Sequence, residues 1–213
     1  MSDFFYDIEE YLLNHSDEED PILAELNRET NLKILRPRML SGHLQGKFLE
    51  MIGKMIQPEK ILEIGTYTGY SAICLAKGLK ENGILHTIEI NDELEDFITK
   101  YLKKAQVQEK VKLHFGDARK IVTALDESFD LVFIDADKTE YIEYYQIILD
   151  FVKPGGFIVV DNVLWSGKVL EQTEPEDVHT KGVIEFNEFI KNDQRVEKVM
   201  LPIRDGLTLI RKK

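Results

Sequence analysis

An α/β fold built on a mostly parallel sheet of seven strands is predicted by three observations. Short apolar runs alternate with amphipathic stretches from Lys60 to Lys191, and the connections between them are short. Several of the apolar runs end on an acidic residue, as strands do when their carboxyl ends line a ligand crevice. The chain closes on two apolar runs split by Arg204-Asp205-Gly206, a hairpin that adds one antiparallel strand.

The elements follow in order. Phe4 to Asn14 has apolar residues at helical spacing, and Asp20-Pro21 caps and opens a second helix reaching about Asn31. After the Arg36-Pro37-Arg38 break, Leu44 to Ile56 reads as a third helix with Phe48, Leu49, Ile52 and Ile56 on one face. Then strands Ile61 to Ile64, Ile84 to Glu89, Val111 to Phe115, Phe129 to Ile134 and Phe157 to Val160 alternate with helices Tyr70 to Lys77, Asp92 to Ala105, Ala118 to Leu125, Tyr141 to Phe151 and Gly182 to Lys191. The hairpin pairs Val196 to Ile203 with Leu207 to Ile210. With no repeat, low-complexity tract or Pro/Ser-rich linker, residues 1–213 read as one domain, in which 1–57 form helices covering the active site and 58–213 form the α/β core.

Bulk properties narrow the function. A chain of 213 residues with 43% hydrophobic content buries about 70% of its unfolded surface without a staple. Its single cysteine, Cys74, excludes a disulfide framework and a cysteine-rich zinc site, and is expected to pack in the helix after the glycine loop. Met1 to Asp7 carry no basic, then apolar, leader, and no apolar run approaches the ~20 residues of a membrane span, so a cytoplasmic protein is expected. Of the formal charge of −12, most comes from residues 1–29, where ten acidic side chains face one arginine, Arg28. That argues against a broadly basic nucleic-acid surface and leaves only local cations such as Lys33, Arg36 and Arg38.

Gly65-Thr-Tyr67-Thr-Gly69 follows the first strand with G-x-x-x-G spacing, neither the dinucleotide fingerprint nor a P-loop. Such a turn lets a ligand approach the backbone, with Glu63 and Ser71 available to an ammonium or carboxylate group. Glu89 ends the second strand about 20 residues on, where an acidic side chain accepts hydrogen bonds from ribose hydroxyls. Gly116-Asp117-Ala118 after the third strand adds an acceptor for an adenine amino group.

Asp135 closes the fourth strand, and Asp161-Asn162 close the fifth. These hard oxygen donors suit Mg²⁺, with Mn²⁺ or Ca²⁺ as alternatives, and His15, His43, His86, His114 and His179 show no ligand spacing. Asp137 is set aside as a ligand because it is expected on the face opposite Asp135. Lys138, three residues beyond Asp135, is a candidate general base for a hydroxyl acidified by a cation; the competing reading is an ion pair between Lys138 and Asp135. Trp165 reads equally as an aromatic wall for a planar acceptor and as a loop anchor, while Tyr141, Tyr144 and Tyr145 read as packing or surface residues.

Three segments together, Glu63-Ile-Gly65-Thr-Tyr67-Thr-Gly69-Tyr-Ser71, Phe133-Ile-Asp135-Ala-Asp137-Lys138 and Val160-Asp161-Asn162-Val-Leu-Trp165, resemble the cation-dependent O-methyltransferases of the caffeoyl-CoA and catechol type. The resemblance runs from about Arg36 to the C-terminus. It implies a Rossmann-like class I methyltransferase fold, S-adenosylmethionine as cofactor, and commonly a homodimer. It further implies Asp135, Asp161 and Asn162 as metal ligands and Lys138, with Asp135, as catalytic. Met39, Ser41, Glu63, Gly65, Tyr67 and Ser71 are implied around the amino acid end of the cofactor, Glu89 at its ribose, Asp117 and Ala118 at its adenine, and Asp135 bordering both cofactor and metal. Asp137 stands where the mammalian catechol enzyme has an aromatic gatekeeper, which resembles the bacterial and plant caffeoyl-CoA type instead.

The expected reaction is therefore methyl transfer to a hydroxyl of a catechol-like or phenylpropanoid small molecule, with no membrane partner. Methylation of a tRNA wobble 5-hydroxyuridine, with Lys33, Arg36, Arg38, Lys168 and Lys181 at phosphates, is the second reading. A non-catalytic nucleoside-binding module is the third, and a NAD-dependent dehydrogenase fits the glycine spacing least.

Overall fold

A computed structural model describes residues 3–213, and their side chains from Ile8 onward; the reading of Met1 to Asp7 lies largely outside that range. Seven strands, β1 (Lys60–Ile64), β2 (Ile84–Glu89), β3 (Val111–Phe115), β4 (Phe129–Ile134), β5 (Val152–Asp161), β6 (Val196–Leu201) and β7 (Leu207–Lys212), lie in the order β3-β2-β1-β4-β5-β7-β6. β7 is inserted between β5 and β6 and runs antiparallel to both; the other neighbours pair parallel. The helices are α1 (Asp3–Asn14), α2 (Pro21–Lys33), α3 (Gly42–Ile56), α4 (Tyr70–Lys77), α5 (Glu95–Lys104), α6 (Ala118–Leu125), α7 (Tyr141–Phe151) and α8 (Val178–Asn192).

Strand alternation sorts the interior into two cores. Ile61, Leu131, Phe133 and Val159 face α2, α3, α4 and α5, whereas Leu62, Val132, Ile134, Ile158 and Val160 face α6, α7 and α8. The N-terminal helices share the first core: Leu26 and Leu49 are fully buried in it. α3 lies close on α4, because Gly46 faces Tyr70 and Cys74 so tightly that a Cβ there would come within 2.6 Å of the Tyr70 ring. Cys74 is buried at this contact, as expected. Among the described residues, no helix is long and apolar enough to cross a membrane.

Several boundaries move for identifiable reasons. β5 begins at Val152, ahead of the expected Phe157, because Val152 pairs with Phe129 across a register shift that accommodates Pro154-Gly155-Gly156. β6 stops at Leu201 because Pro202 has no N–H to give, while β7 continues to Lys212 alongside Val196. α8 starts at Val178 instead of Gly182, since the Asp177 side chain accepts from Thr180 N and caps it. The expected helix from Asp92 opens as a 3₁₀ turn, capped by Asn91, before α5.

Candidate active site

Parallel register brings the site together. Ile64 lies beside Ile134 and Ile134 beside Val160, so the next positions along, Gly65, Asp135 and Asp161, sit at the carboxyl ends of three adjacent strands. Gly65 has φ +100°, and a Cβ on it would lie 1.9 Å from the Asp135 carbonyl oxygen. Only glycine fits there, which brings the glycine loop and the Asp135 strand end into direct contact.

On the cofactor side, Glu63 is fully buried, and its Oε2 accepts the Thr87 hydroxyl at 2.5 Å. Thr66 of the loop hydrogen-bonds the same Thr87 hydroxyl. Burial pushes the Glu63 carboxyl up to about 8, against the opposing hydrogen bonds from Ser71 and Thr87. Its Oε1 is buried without a partner among the described residues, an acceptor that suits a ligand ammonium group. Glu89 is held ready to accept: Tyr67 N donates to Oε2 at 2.6 Å, and Ile90 N and Asn91 N donate to Oε1 at 3.0 Å. Tyr67 has φ +49° and gives its hydroxyl to the carbonyls of Leu35 and Arg36 at 3.0 and 3.2 Å, tying the loop to the segment ahead of α3. On that segment Met39 is half exposed and Ser41, at the start of α3, is buried. Asp117 caps α6 through Arg119 N and is further held by Arg119 Nε at 2.9 Å, while Ala118 beside it is buried. The Arg119 guanidinium keeps the Asp117 carboxyl below the ordinary carboxylate range.

On the chemical side, Lys138 is 9% exposed and donates to Asp135 Oδ1 at 2.8 Å and to the Ala136 carbonyl at 2.9 Å. Its Nζ lies 5.2 Å from the centre of the Tyr141 ring and 5.9 Å from that of Trp165. Burial acts to lower the Lys138 pKa, but Tyr141 and Asp135 outweigh it and raise the value above that of a free lysine. The ion pair named as the competing reading is thus formed. Asp161, 3% exposed, is pushed up to about 7 by burial and then by the neighbouring Asp135 charge. Its Oδ1 accepts Asn162 N and its Oδ2 accepts Gln45 Nε2, both at 2.6 Å. Asn162 has φ +56°, and its amide nitrogen reaches Asp205 at 3.4 Å.

Two neighbouring acids with one lysine, held on Asp135, are a donor set short of positive charge, and that fits a divalent cation held by two carboxylates and an amide oxygen. Among the described residues, no group of three or more His, Cys, Asp and Glu side chains could hold a metal, so any cation here would need the Asn162 amide oxygen beside the two carboxylates.

Asp137 needs a correction. Residues two apart share a strand face, so alternation does not separate it from Asp135. β4 instead ends at Ile134, and Asp137 caps the following 3₁₀ turn through Thr139 N, with His179 Nδ1 at 3.7 Å. His86 and His114 pair with each other at 3.0 Å on β2 and β3, away from the metal candidates. Trp165, at φ +47°, stands 6.2 Å from the His179 ring, and its ring centre lies 5.9 Å from Lys138 Nζ, which puts it beside Lys138.

Three residues of this site escaped the sequence reading. Gln45 had no local signal, being one polar position on an amphipathic helix. Tyr141 looked like packing, yet its hydroxyl donates to the Asp161 carbonyl at 3.0 Å. Asp205 looked like a hairpin turn, yet it receives Ser166 N and braces the Asn162 loop. Two surface hollows, about 690 Å³ around Phe189 and Arg195 and about 360 Å³ around Gln57 and Lys153, contain none of the site residues.

Comparison with known proteins agrees with this geometry. Residues 13–213 match the family model described as O-methyltransferase. The chain is 35% identical over 228 residues to the caffeoyl-CoA O-methyltransferase of Petroselinum crispum, covering 100% of this chain and 92% of that one. It is similar in structure to the O-methyltransferase TomG of Streptomyces achromogenes, solved in complex with SAM, with a TM-score of 0.90, 30% identity and all of both chains covered. It is also similar to an O-methyltransferase of Bacillus cereus in complex with SAH, with a TM-score of 0.87, 29% identity and 97% of each chain covered. The motifs, the strand order and these likenesses agree on one conclusion: the chain belongs to the O-methyltransferase family.

Proposed function

We propose that this O-methyltransferase moves a methyl group from S-adenosylmethionine to a hydroxyl of a catechol-like or phenylpropanoid small molecule, and that it needs a divalent cation. One observation carries the reading: Asp135 and Asp161 crowd together at adjacent strand ends, with Lys138 on Asp135 and the glycine loop against its backbone. S-adenosylmethionine supplies an electrophilic sulfonium methyl group, and the cation, Mg²⁺ first with Mn²⁺ or Ca²⁺ as alternatives, supplies charge that lowers the pKa of a nearby hydroxyl.

Asp135, Asp161 and Asn162 would hold the cation. Glu63, Gly65, Tyr67 and Ser71, with Met39 and Ser41 above them, would hold the amino acid end of the cofactor; Glu89 would hold the ribose, and Asp117 and Ala118 the adenine. Lys138 would take the acceptor proton. It must first lose its own, which is favoured once the Asp135 charge that stabilises the ammonium is neutralised. Trp165 would stack on the acceptor ring.

The small-molecule reading is supported over tRNA by how three of the five candidate cations, all but Arg36 and Arg38, are used within the chain. Lys33 pairs with Glu29 at 3.1 Å, Lys168 pairs with Asp177 at 2.8 Å, and Lys181 donates to the Pro175 carbonyl at 2.7 Å. The test is labelled methyl transfer to a 3,4-dihydroxyphenyl acceptor and, in parallel, to hydroxyuridine-containing tRNA, with Mg²⁺ or EDTA. Labelling of the phenol that EDTA abolishes is expected; labelling of tRNA alone would replace the acceptor, and labelling indifferent to EDTA would remove the cation. A homodimer is proposed on resemblance alone, and light scattering on the purified chain tests it.

A further inference from the structure

We infer that Gln45 is a positioning residue for Asp161, making the N-terminal helix α3 a structural part of the cation site; this rests on the cation-dependent reading above. Gln45 lies in the first turns of α3, is 1% exposed, and reaches a strand end 116 residues away to donate its Nε2 hydrogen to Asp161 Oδ2 at 2.6 Å. The other carboxylate oxygen accepts the amide of Asn162, the next residue in the chain, which moves with Asp161 and cannot orient it against the rest of the molecule. Gln45 is the contact that can do so.

Its reach is set by packing. The adjacent Gly46 seats α3 on Tyr70 and Cys74, and Gly53 lies on Gly78 so closely that a Cβ would come within 2.9 Å of the Gly78 Cα. α3 therefore has a defined height over the sheet, and one long amide spans the gap to the carboxylate. A buried polar side chain adds nothing to this apolar interface except that hydrogen bond. Carboxylate ligands oriented in this way commonly lose about 10- to 100-fold in metal affinity when the outer partner is removed.

The test uses the full chain carrying Gln45→Met, which keeps an unbranched side chain of similar length and good helix propensity but gives no donor. Mn²⁺ binding is measured by titration calorimetry, and S-adenosylhomocysteine binding without metal is measured beside it. A loss of about tenfold or more in Mn²⁺ affinity, with S-adenosylhomocysteine affinity kept, is the expected result. Unchanged Mn²⁺ affinity, even with a lowered melting temperature, overturns the inference and leaves Gln45 a packing tie. If Gln45→Met does not fold, Gln45→Asn, one methylene short of Asp161, is read by the same two outcomes. Failure of the wild type to bind Mn²⁺ would instead remove the cation reading, and the inference with it.

Discussion

The two halves of the site differ in how far their polar groups are satisfied. The centre of the cofactor half is built within one stretch of chain, from β1 through the glycine loop to β2, with Met39 and Ser41 added from before it and Asp117 and Ala118 from beyond it: Glu89 takes three backbone amides, and Glu63 takes the hydroxyl of Thr87 on the neighbouring strand. The cation half is assembled from distant segments, with Gln45, Asp135, Lys138, Asp161 and Asp205 meeting only in the fold. In the first half the buried Glu63 Oε1 and the Thr68 hydroxyl of the glycine loop have no partner among the described residues; in the second, two acids and one lysine leave an imbalance of charge. A preformed cradle suits a ligand bound largely by backbone shape, whereas crowded like charges suit the cation proposed above.

The comparison can be broken most severely at Asp161. Asp161→Ala should lower methyl transfer by about a thousandfold or more and remove its response to Mg²⁺, with S-adenosylhomocysteine affinity retained. Mg²⁺ dependence surviving in this variant would show that the two halves are wrongly divided. Lys138→Ala comes next: kcat should fall by about 10²–10⁴ with cofactor affinity unchanged, and unaltered turnover would withdraw the base assignment.

Gly65→Ala probes the point where the halves touch. Its methyl group would lie 1.9 Å from the Asp135 carbonyl on a backbone already at φ +100°, so thermal unfolding should show a loss of about 3 kcal/mol or more, and both ligands should bind more weakly. Weakening confined to one ligand would show that the contact does not join the two halves.

The smallest effect is a pH dependence. A carboxyl group raised in the folded state binds its proton more tightly there than when unfolded, so its contribution to stability falls as pH rises from the ordinary carboxylate value to the raised one. For Asp161 that window ends at about 7 and for Glu63 at about 8. Mg²⁺ should relieve Asp161 and leave Glu63 untouched, so the gain in melting temperature on adding Mg²⁺ should grow between about pH 5 and pH 7. A gain independent of pH would show that Asp161 does not take up the cation.

Much of the cofactor half was legible beforehand because its signals are local. Gly65 and Gly69 mark the turn, Glu89 ends its strand, and Asp117 precedes its helix at a spacing that one βαβ unit imposes. Asp135 and Asp161 were also legible, as the residues closing two apolar runs. Gln45, Tyr141 and Asp205 were not, because each acts on a residue tens of positions away or more, and nothing in its neighbours distinguishes it from a surface, packing or turn residue. Asp137 went wrong for another reason: residues two apart share a strand face, so alternation could not separate it from Asp135, and what places it is its cap on Thr139 N after β4 has ended.

What the sequence determined by itself is the succession of strands and helices, the glycine turn and the acidic strand ends, since periodicity and turn chemistry act over a few residues. Only the tertiary structure decided the insertion of β7 between β5 and β6, the height of α3 over the sheet, and the crowding of Asp135 with Asp161. Those depend on register and close packing between segments far apart in the chain, where a shift of one residue turns a side chain to the other face of the sheet.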